Sequence, residues 1–381
     1  MVTRKLSSRM AYDIILAGLG AMGSATAFYL TGRGVRVLGL DRYHPPHVLG
    51  STHGGSRVIR ETAFEHPRYV PLARRGYDNW RRIEAATGER LLHVTGALFV
   101  GAPDSLVVAG TLASARAHGV AHEQLTAAEL DRRYPVFRHL DGAVGVLEPG
   151  GGWLDPERCV AACLAHAGRG GVELRFDEPL ERWEPEGEGV IVTTPRGRYR
   201  ASRLLLAAGP WMPELLGPVG ASLGVERQVQ HWFALARDAA ALARMPIFIR
   251  QAPEAVLYAL PPTAGEIKVA VHHDGERTTP STVRRTVSAE EVVATQSLLA
   301  RYVPALAGEH RRASVCLYTN SADGHFVIDR HPAHRAVLVA SPCSGFGFKF
   351  ASAVGEILAD LLVDGASWLD LTPFRLGRSP S

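Results

Sequence analysis

The apolar positions of the chain fall into short runs, and the first of them is the most regular. Residues 12–41 read YDIILAGLGAMGSATAFYLTGRGVRVLGLD. Ile14 to Ala17 is a continuous apolar stretch of strand length, GLGAMG follows at once, and Ala21 to Leu30 has helical composition. Gly32 and Gly34 end that helix, and Val35 to Leu40 forms a second apolar strand closed by Asp41. A strand, a glycine turn, a helix and a second strand within about 30 residues predict a βαβ unit. Further runs extend the pattern. Val172 to Phe176 reads as a strand, Gly189 to Thr194 with Gly197 to Ala201 as a hairpin, and Arg203 to Ala208 as a buried strand ending in Gly209-Pro210-Trp211. Ala336 to Ala340 is an apolar strand leading into an amphipathic helix over Ala351 to Leu362. Shorter strand-like runs, such as Gly96 to Val100 and Trp232 to Leu235, lie between these blocks.

Each part of the first unit has a physical task. Gly18 makes the tight turn, Gly20 lets backbone approach a pyrophosphate, and Gly23 allows the helix to pack closely on the strand. The helix start offers free N–H groups to phosphates, and Asp41 accepts hydrogen bonds from a ribose. The motif predicts a bound dinucleotide and leaves FAD and NAD open, while Asp41 argues against a 2′-phosphate. The expected fold is α/β. A Rossmann-type domain built from residues 12–92, 153–216 and 323–375 is interleaved with a mixed-sheet α+β substrate domain from 93–152 and 217–322, the active site lying between them.

Composition narrows the function class. At 381 residues with 46% hydrophobic and 21% charged positions, the chain has ordinary globular make-up, so a disordered or coiled-coil protein is excluded. Four cysteines make no disulfide scaffold, and Cys159 and Cys163 read as packed thiols on a helix. A net charge of +4 without a cationic run gives a nucleic-acid partner no support. No stretch is apolar enough to span a bilayer, and residues 1–10 (MVTRKLSSRM) lack a signal-peptide core, so a cytoplasmic protein is expected. Arg378 to Ser381 is expected to fray. Lysine occurs only at Lys5, Lys268 and Lys349 in a chain that otherwise uses arginine. An ammonium differs from a guanidinium in hydration, geometry and readiness to shift its pKa, so the two lysines in the body invite a functional reading.

The segments SVCLYTNSADGHFVIDRHP (314–332) and GFGFKFASAVGE (345–356) resemble the monomeric sarcosine oxidase and N-methyltryptophan oxidase family of flavoenzymes. So do DRYHPPHVLGSTHGGSRVIRETAFEHPRYVPLA (41–73), ALFVG at Ala97, RQV at Arg227 and EIKVAVHH at Glu266, a likeness running from about Tyr12 to Leu369. The resemblance implies a glutathione-reductase-like FAD-binding fold, with FAD tethered by a thioether from Cys316 to the flavin 8α-methyl. It implies that Lys268 promotes the reaction of reduced flavin with oxygen, and that Lys349 and Arg60 hold a substrate carboxylate. It places His53 and Arg57 beside the flavin, His272, Tyr258 and Tyr318 around the substrate, and the Gly345 carbonyl toward the substrate amine. Gly18, Gly20, Gly23, Asp41, Arg42, Gly209, Gly347 and Lys349 complete the implied cofactor contacts. Phe346 stands where the family commonly has histidine, and Leu257 where relatives often carry an aromatic ring. The first points to a bulkier or more apolar substrate than sarcosine, the second to an altered pocket shape.

The implied activity is FAD-dependent oxidation of a secondary amino acid by hydride transfer, with hydrolysis of the imine and reduction of O2 to hydrogen peroxide, by a monomer. An oxidase of proline- or pipecolate-like cyclic imino acids within a biosynthetic pathway is the nearest alternative. A NAD-dependent dehydrogenase and a non-catalytic flavin module are the other classes; Cys316 and GFGFKF argue against the first, the two lysines against the second. No metal is expected, because His272 and His273 are adjacent and would point apart in a strand.

Overall fold

The computed structural model describes residues 11–136, 142–235 and 242–378, so the readings made on Lys5, residues 1–10 and residues 379–381 lie outside the described residues, while Arg378, expected to fray, is instead held by Asp323. The strand Ala11–Ala17 is the centre of an eight-stranded sheet. Val37–Leu40 and Gly197–Leu206 flank it in parallel, with Ile14 opposite Val37 on one side and Arg203 on the other. Glu173–Arg175 lies parallel beyond Val37–Leu40, and His334–Ser341 lies parallel beyond Gly197–Leu206. Parallel strands are covered on both faces, which is why Ile15, Leu16, Leu38, Leu204 and Leu205 form continuous apolar runs with no exposed surface. The helices Ala21–Leu30, Pro156–Arg169 and Ala351–Val363 supply one cover. Cys159 and Cys163 are buried in the second of these, their thiols pushed up in pKa by burial.

One difference from the sequence pattern is informative. The expected hairpin arm and the expected buried strand are a single strand, Gly197–Leu206. Residues 197–201 pair antiparallel with Gly189–Thr194, whereas 204–206 sit in parallel between Ala11–Ala17 and His334–Ser341. Alternation at one end and a solid apolar run at the other reflect two different neighbours.

The second sheet has nine strands. Its centre is Leu223–Ala234, paired antiparallel with His310–Ser321 and Glu266–His272; Val256–Ala259, Ile247–Gln251, Ala97–Gly101, Val144–Glu148 and Glu123–Leu125 follow outward. Register decides which side chains share a face. Trp232 lies opposite Lys268, Tyr258 opposite Ala270, Val256 opposite His272 and Gln228 opposite Cys316. Directly opposed residues point the same way and every second residue repeats the direction. One face therefore carries Gln230, Lys268, His272, Tyr258, Cys316 and Tyr318. Leu257 falls on the other face, packed in the core with Ile267, Val269 and Leu299. It does not shape the pocket, contrary to the expectation from sequence, because a one-residue step in a strand reverses the side chain.

Candidate active site

A single cleft of about 1880 Å³, counting its open mouth, runs from the glycine turn of the first sheet to the patterned face of the second. At its first end lie Gly18, Gly20, Asp41, Arg42 and Gly209. Gly18 has φ +94°, and a Cβ there would sit 2.5 Å from the Ala207 carbonyl oxygen. Gly23 packs so closely that a Cβ would meet the Gly18 carbonyl oxygen at 1.8 Å. Gly20 is different: the nearest atom to a Cβ would be Thr52 Oγ1 at 3.6 Å, so its open side faces the cleft. The helix Ala21–Leu30 starts without a side-chain cap or an acidic residue in its first turn, leaving its N–H groups for an anion. Asp41 accepts from the backbone N–H of Leu19 (2.7 Å) and Tyr43 (2.9 Å), one bond to each oxygen, which leaves lone pairs toward the cleft.

Midway, the loop of residues 47–57 meets the second sheet. Arg57 donates to the Ser51 and Ser56 carbonyls and lies 3.6 Å from Cys316 Sγ, which itself donates to the Ser51 carbonyl at 3.3 Å. Lys268 is buried and donates to the Gly54 (3.0 Å) and Ser56 (2.8 Å) carbonyls. Burial, with Arg57 nearby, pulls its pKa well below the ordinary lysine value. Cys316 and His53 lie just behind the cleft wall, both 1% exposed, while their neighbours Leu317 and Thr52 border it. Burial and the cations Arg57 and Lys268 drop the His53 pKa to about 3, so its ring is neutral. Its Nε2 and the Oε1 of Gln230 are buried without a hydrogen-bond partner in the protein.

The far end is built for an anion with an apolar attachment. Lys349 follows Gly347 in the turn Phe348–Phe350; it donates to the Phe346 carbonyl (2.8 Å) and lies over the Phe346 and Phe350 rings. Burial and neighbouring Arg60 bring its pKa down to about 7. Arg60 is 2% exposed and engaged: it donates to the Thr62 carbonyl and to both oxygens of Glu65, at 2.7 and 2.9 Å. Gly345 has φ +80°, and a Cβ there would meet the His272 and Tyr318 rings at 2.6 and 2.7 Å. His272 Nδ1 and the Tyr318 hydroxyl are 3.3 Å apart. Burial takes His272 to about 3 and Tyr258 up to about 12, so both are neutral. Phe64, Ile249 and Val256 complete this end with an apolar wall. Phe346 borders the cleft but stacks its ring on Phe326, 4.9 Å between centroids, within a cluster that includes Tyr69.

His272 and His273 do not point apart. The strand ends at His272, and His273 has φ +55°, which brings the two rings to 4.2 Å. Among the described residues no cluster of three or more His, Cys, Asp or Glu could hold a metal ion, and no helix is long and apolar enough to cross a membrane. Sequence reasoning missed Glu65, Gln230 and Glu148. Glu148 accepts from the backbone N–H of Glu61 and Thr62 and thereby fixes the loop after Arg60. Glu148 and Gln230 are placed by residues far along the chain and Glu65 by Arg60 across a loop, so no local motif marks them.

A glycine cradle, an uncapped helix start, Asp41 and the unpartnered buried Gln230 Oε1 on the cleft wall together fit a flavin dinucleotide. The family profile described as FAD dependent oxidoreductase, DAO, matches residues 13–361. The chain is 43% identical over 380 residues to the monomeric sarcosine oxidase of Streptomyces avermitilis, covering 97% of this chain and 99% of the relative. It is 34% identical over 377 residues to the N-methyl-L-tryptophan oxidase of Salmonella arizonae, covering 97% and 99%. The solved structure of NikD, an unusual amino acid oxidase essential for nikkomycin biosynthesis, superposes with a TM-score of 0.85 at 27% identity, over 97% of this chain and 99% of NikD.

Proposed function

The chain belongs to the family of FAD-dependent oxidoreductases, and from that membership we propose a flavin oxidase of secondary amino acids, N-methyl amino acids first among them. The observation that carries this reading is that one cleft joins the glycine turn and Asp41 at one end, past Lys268, to Arg60 and Lys349 at the other. Segments 12–92, 153–216 and 323–375 form the FAD-binding domain, and 93–152 and 217–322 the substrate domain; the division of strands between the two sheets supports this. The name of the Streptomyces relative supports a monomer.

Bound FAD would supply an acceptor for a hydride equivalent from the carbon bearing the amine and a route for the electrons to oxygen, giving hydrogen peroxide. Gly18, Gly20, Asp41, Arg42, Gly209 and Gly347 would hold it, and Cys316 would tether it through a thioether. Lys349 and Arg60 bind the substrate carboxylate by charge-assisted hydrogen bonds. Neutral His272 and Tyr318 with the Gly345 backbone flank the amine without adding a charge that would oppose loss of hydride. Tyr258 and the wall of Phe64, Ile249 and Val256 exclude water and pack the side chain. The Lys268 ammonium, with His53 and Arg57 beside it, assists the oxygen step. The imine hydrolyses to an aldehyde and an amino acid when an N-methyl carbon is oxidised.

An anaerobic panel tests this reading through loss of the oxidised-flavin absorbance. N-methyl amino acids with apolar side chains are expected to bleach the protein, air restoring the colour as peroxide forms. Each side-chain methylene buried on the apolar wall is worth about 0.8 kcal/mol, or roughly fourfold in kcat/KM over sarcosine. Preferred bleaching by proline or pipecolate would instead make the enzyme a cyclic imino acid oxidase. A yellow protein that no compound bleaches overturns the substrate class.

A further inference from the structure

We infer that Arg285 is a positioning residue for attachment of the flavin to Cys316, acting as a staple between the loop of residues 47–53 and the strand His310–Ser321. The inference rests on the covalent reading above. Among the described residues, no backbone–backbone hydrogen bond joins that loop to that strand. Side chains hold them together. Arg285 Nη2 donates to the Leu49 carbonyl at 2.7 Å, while Nη1 reaches the Val48 carbonyl at 3.4 Å and the Val315 carbonyl at 3.3 Å. Ser51 Oγ donates to the Leu317 carbonyl at 2.6 Å. A third link is the thiol itself, Cys316 Sγ to the Ser51 carbonyl at 3.3 Å, and a fourth joins Ser314 Oγ to His53 Nδ1 at 3.5 Å.

These contacts bracket the reacting sulfur. Val315 and Leu317 are its chain neighbours, and Leu49 is two residues from Ser51, whose carbonyl also accepts from Arg57 Nη2 at 2.8 Å. The loop has little packing of its own at this point, since Val48 is 62% exposed. A planar guanidinium can bridge carbonyls on two separate backbones with fixed geometry; a lysine ammonium of similar reach is a point donor on a flexible stem. Arg285 also brings positive charge near the sulfur: Cys316 and Arg285 interact electrostatically.

Attachment forms one bond, from Sγ to the 8α-methyl carbon. The thiol and the methyl group each lose a hydrogen, and the two hydrogens with their two electrons end on O2 as hydrogen peroxide. The flavin mediates the transfer and finishes oxidised. Displacing the sulfur by an ångström slows such a step by about 10- to 100-fold without removing any reacting group.

The test compares wild type, Arg285→Met and Arg285→Lys as purified full-length proteins. Each is precipitated with acid, and flavin is measured in pellet and supernatant. Wild type is expected to keep its flavin in the pellet, while both variants release most of theirs with total flavin per protein and Tm unchanged. A methionine variant that retains flavin as wild type does overturns the inference. So does full rescue by lysine, which would make charge rather than the clamp the cause, and so does loss of total flavin, which would make Arg285 merely structural. Release of flavin from wild type itself sinks the covalent reading, and the inference with it.

Discussion

Replacing Lys268 by methionine is expected to slow reoxidation of the substrate-reduced protein by oxygen about 10²–10³-fold, the usual cost of removing one preorganised electrostatic group. Its reduction by substrate should stay within about threefold, a difference too small to reflect a lost charge–charge contact. Lys268 is fixed by two carbonyls, Gly54 and Ser56, and keeps one of its three N–H donors for the cleft. Methionine fills similar space without charge, so packing on the Trp232 side survives. A localised ammonium in a water-poor site stabilises negative charge developing on oxygen far better than it would in water. Substrate reduction needs no such cation. The sign with pH follows: burial lowers the lysine pKa, so the ammonium is present at low pH and lost as pH rises through that lowered value. The oxygen step should therefore fall as pH increases. Stopped-flow traces with equal slowing of both half-reactions would remove Lys268 from the oxygen step.

Lys349→Met is expected to weaken binding of an unreactive monocarboxylate by about 10- to 100-fold, since a hydrogen bond to a charged group is worth about 1.5–3 kcal/mol. Arg60 already commits donors to Glu65 and Thr62, whereas Lys349 gives one N–H to the Phe346 carbonyl and retains two. Wild-type affinity should also carry a pH signature. The lysine pKa is lowered to about 7, so carboxylate binding is at full strength below that value and weakens, by up to about tenfold per pH unit, above it. His272 is neutral throughout this range, and Arg60 holds the Glu65 carboxyl below its usual value, so neither supplies the step. Lys349→Arg should flatten the profile between about pH 6 and 9, because a guanidinium does not titrate there. Titration of the flavin spectrum with the carboxylate reads both effects. An unchanged pH profile in the arginine variant would assign the step to another group.

How much of this was legible in sequence depended on the range of the contacts involved. The βαβ unit was, because its strand, glycine turn and helix are adjacent, and Gly18, Gly20 and Gly23 each answer a local steric demand. The full length of His310–Ser321 was not. Its face alternates between cleft and core, so HRRASVCLYTNS lacks the solid apolar run that marks a parallel strand. Lys268 and Lys349 stood out only because the chain otherwise uses arginine. Glu65 could not be paired with Arg60 from spacing alone, because a loop joins them and Glu148, 87 positions beyond Glu61, fixes that loop. The His272–His273 geometry was misread for a similar reason. Alternation assumes the strand continues, and the positive φ of His273 ends it.

The aromatic cluster beneath Lys349 includes Phe374, whose ring lies 5.8 Å from Tyr69 and 6.0 Å from Phe326. Just beyond it, Arg378 is ion-paired with Asp323 at 2.7 Å. The support for the substrate end thus comes from residues more than 350 positions beyond the first strand. The nascent chain can close its first βαβ unit early, but the carboxylate site sets only once Phe374 and Arg378 have emerged and packed back. At roughly 5–20 residues per second, the first strand waits about 20 seconds or more for that partner. A chaperone that shelters the half-made second sheet during this interval would raise the yield of active enzyme more than that of flavin-binding protein.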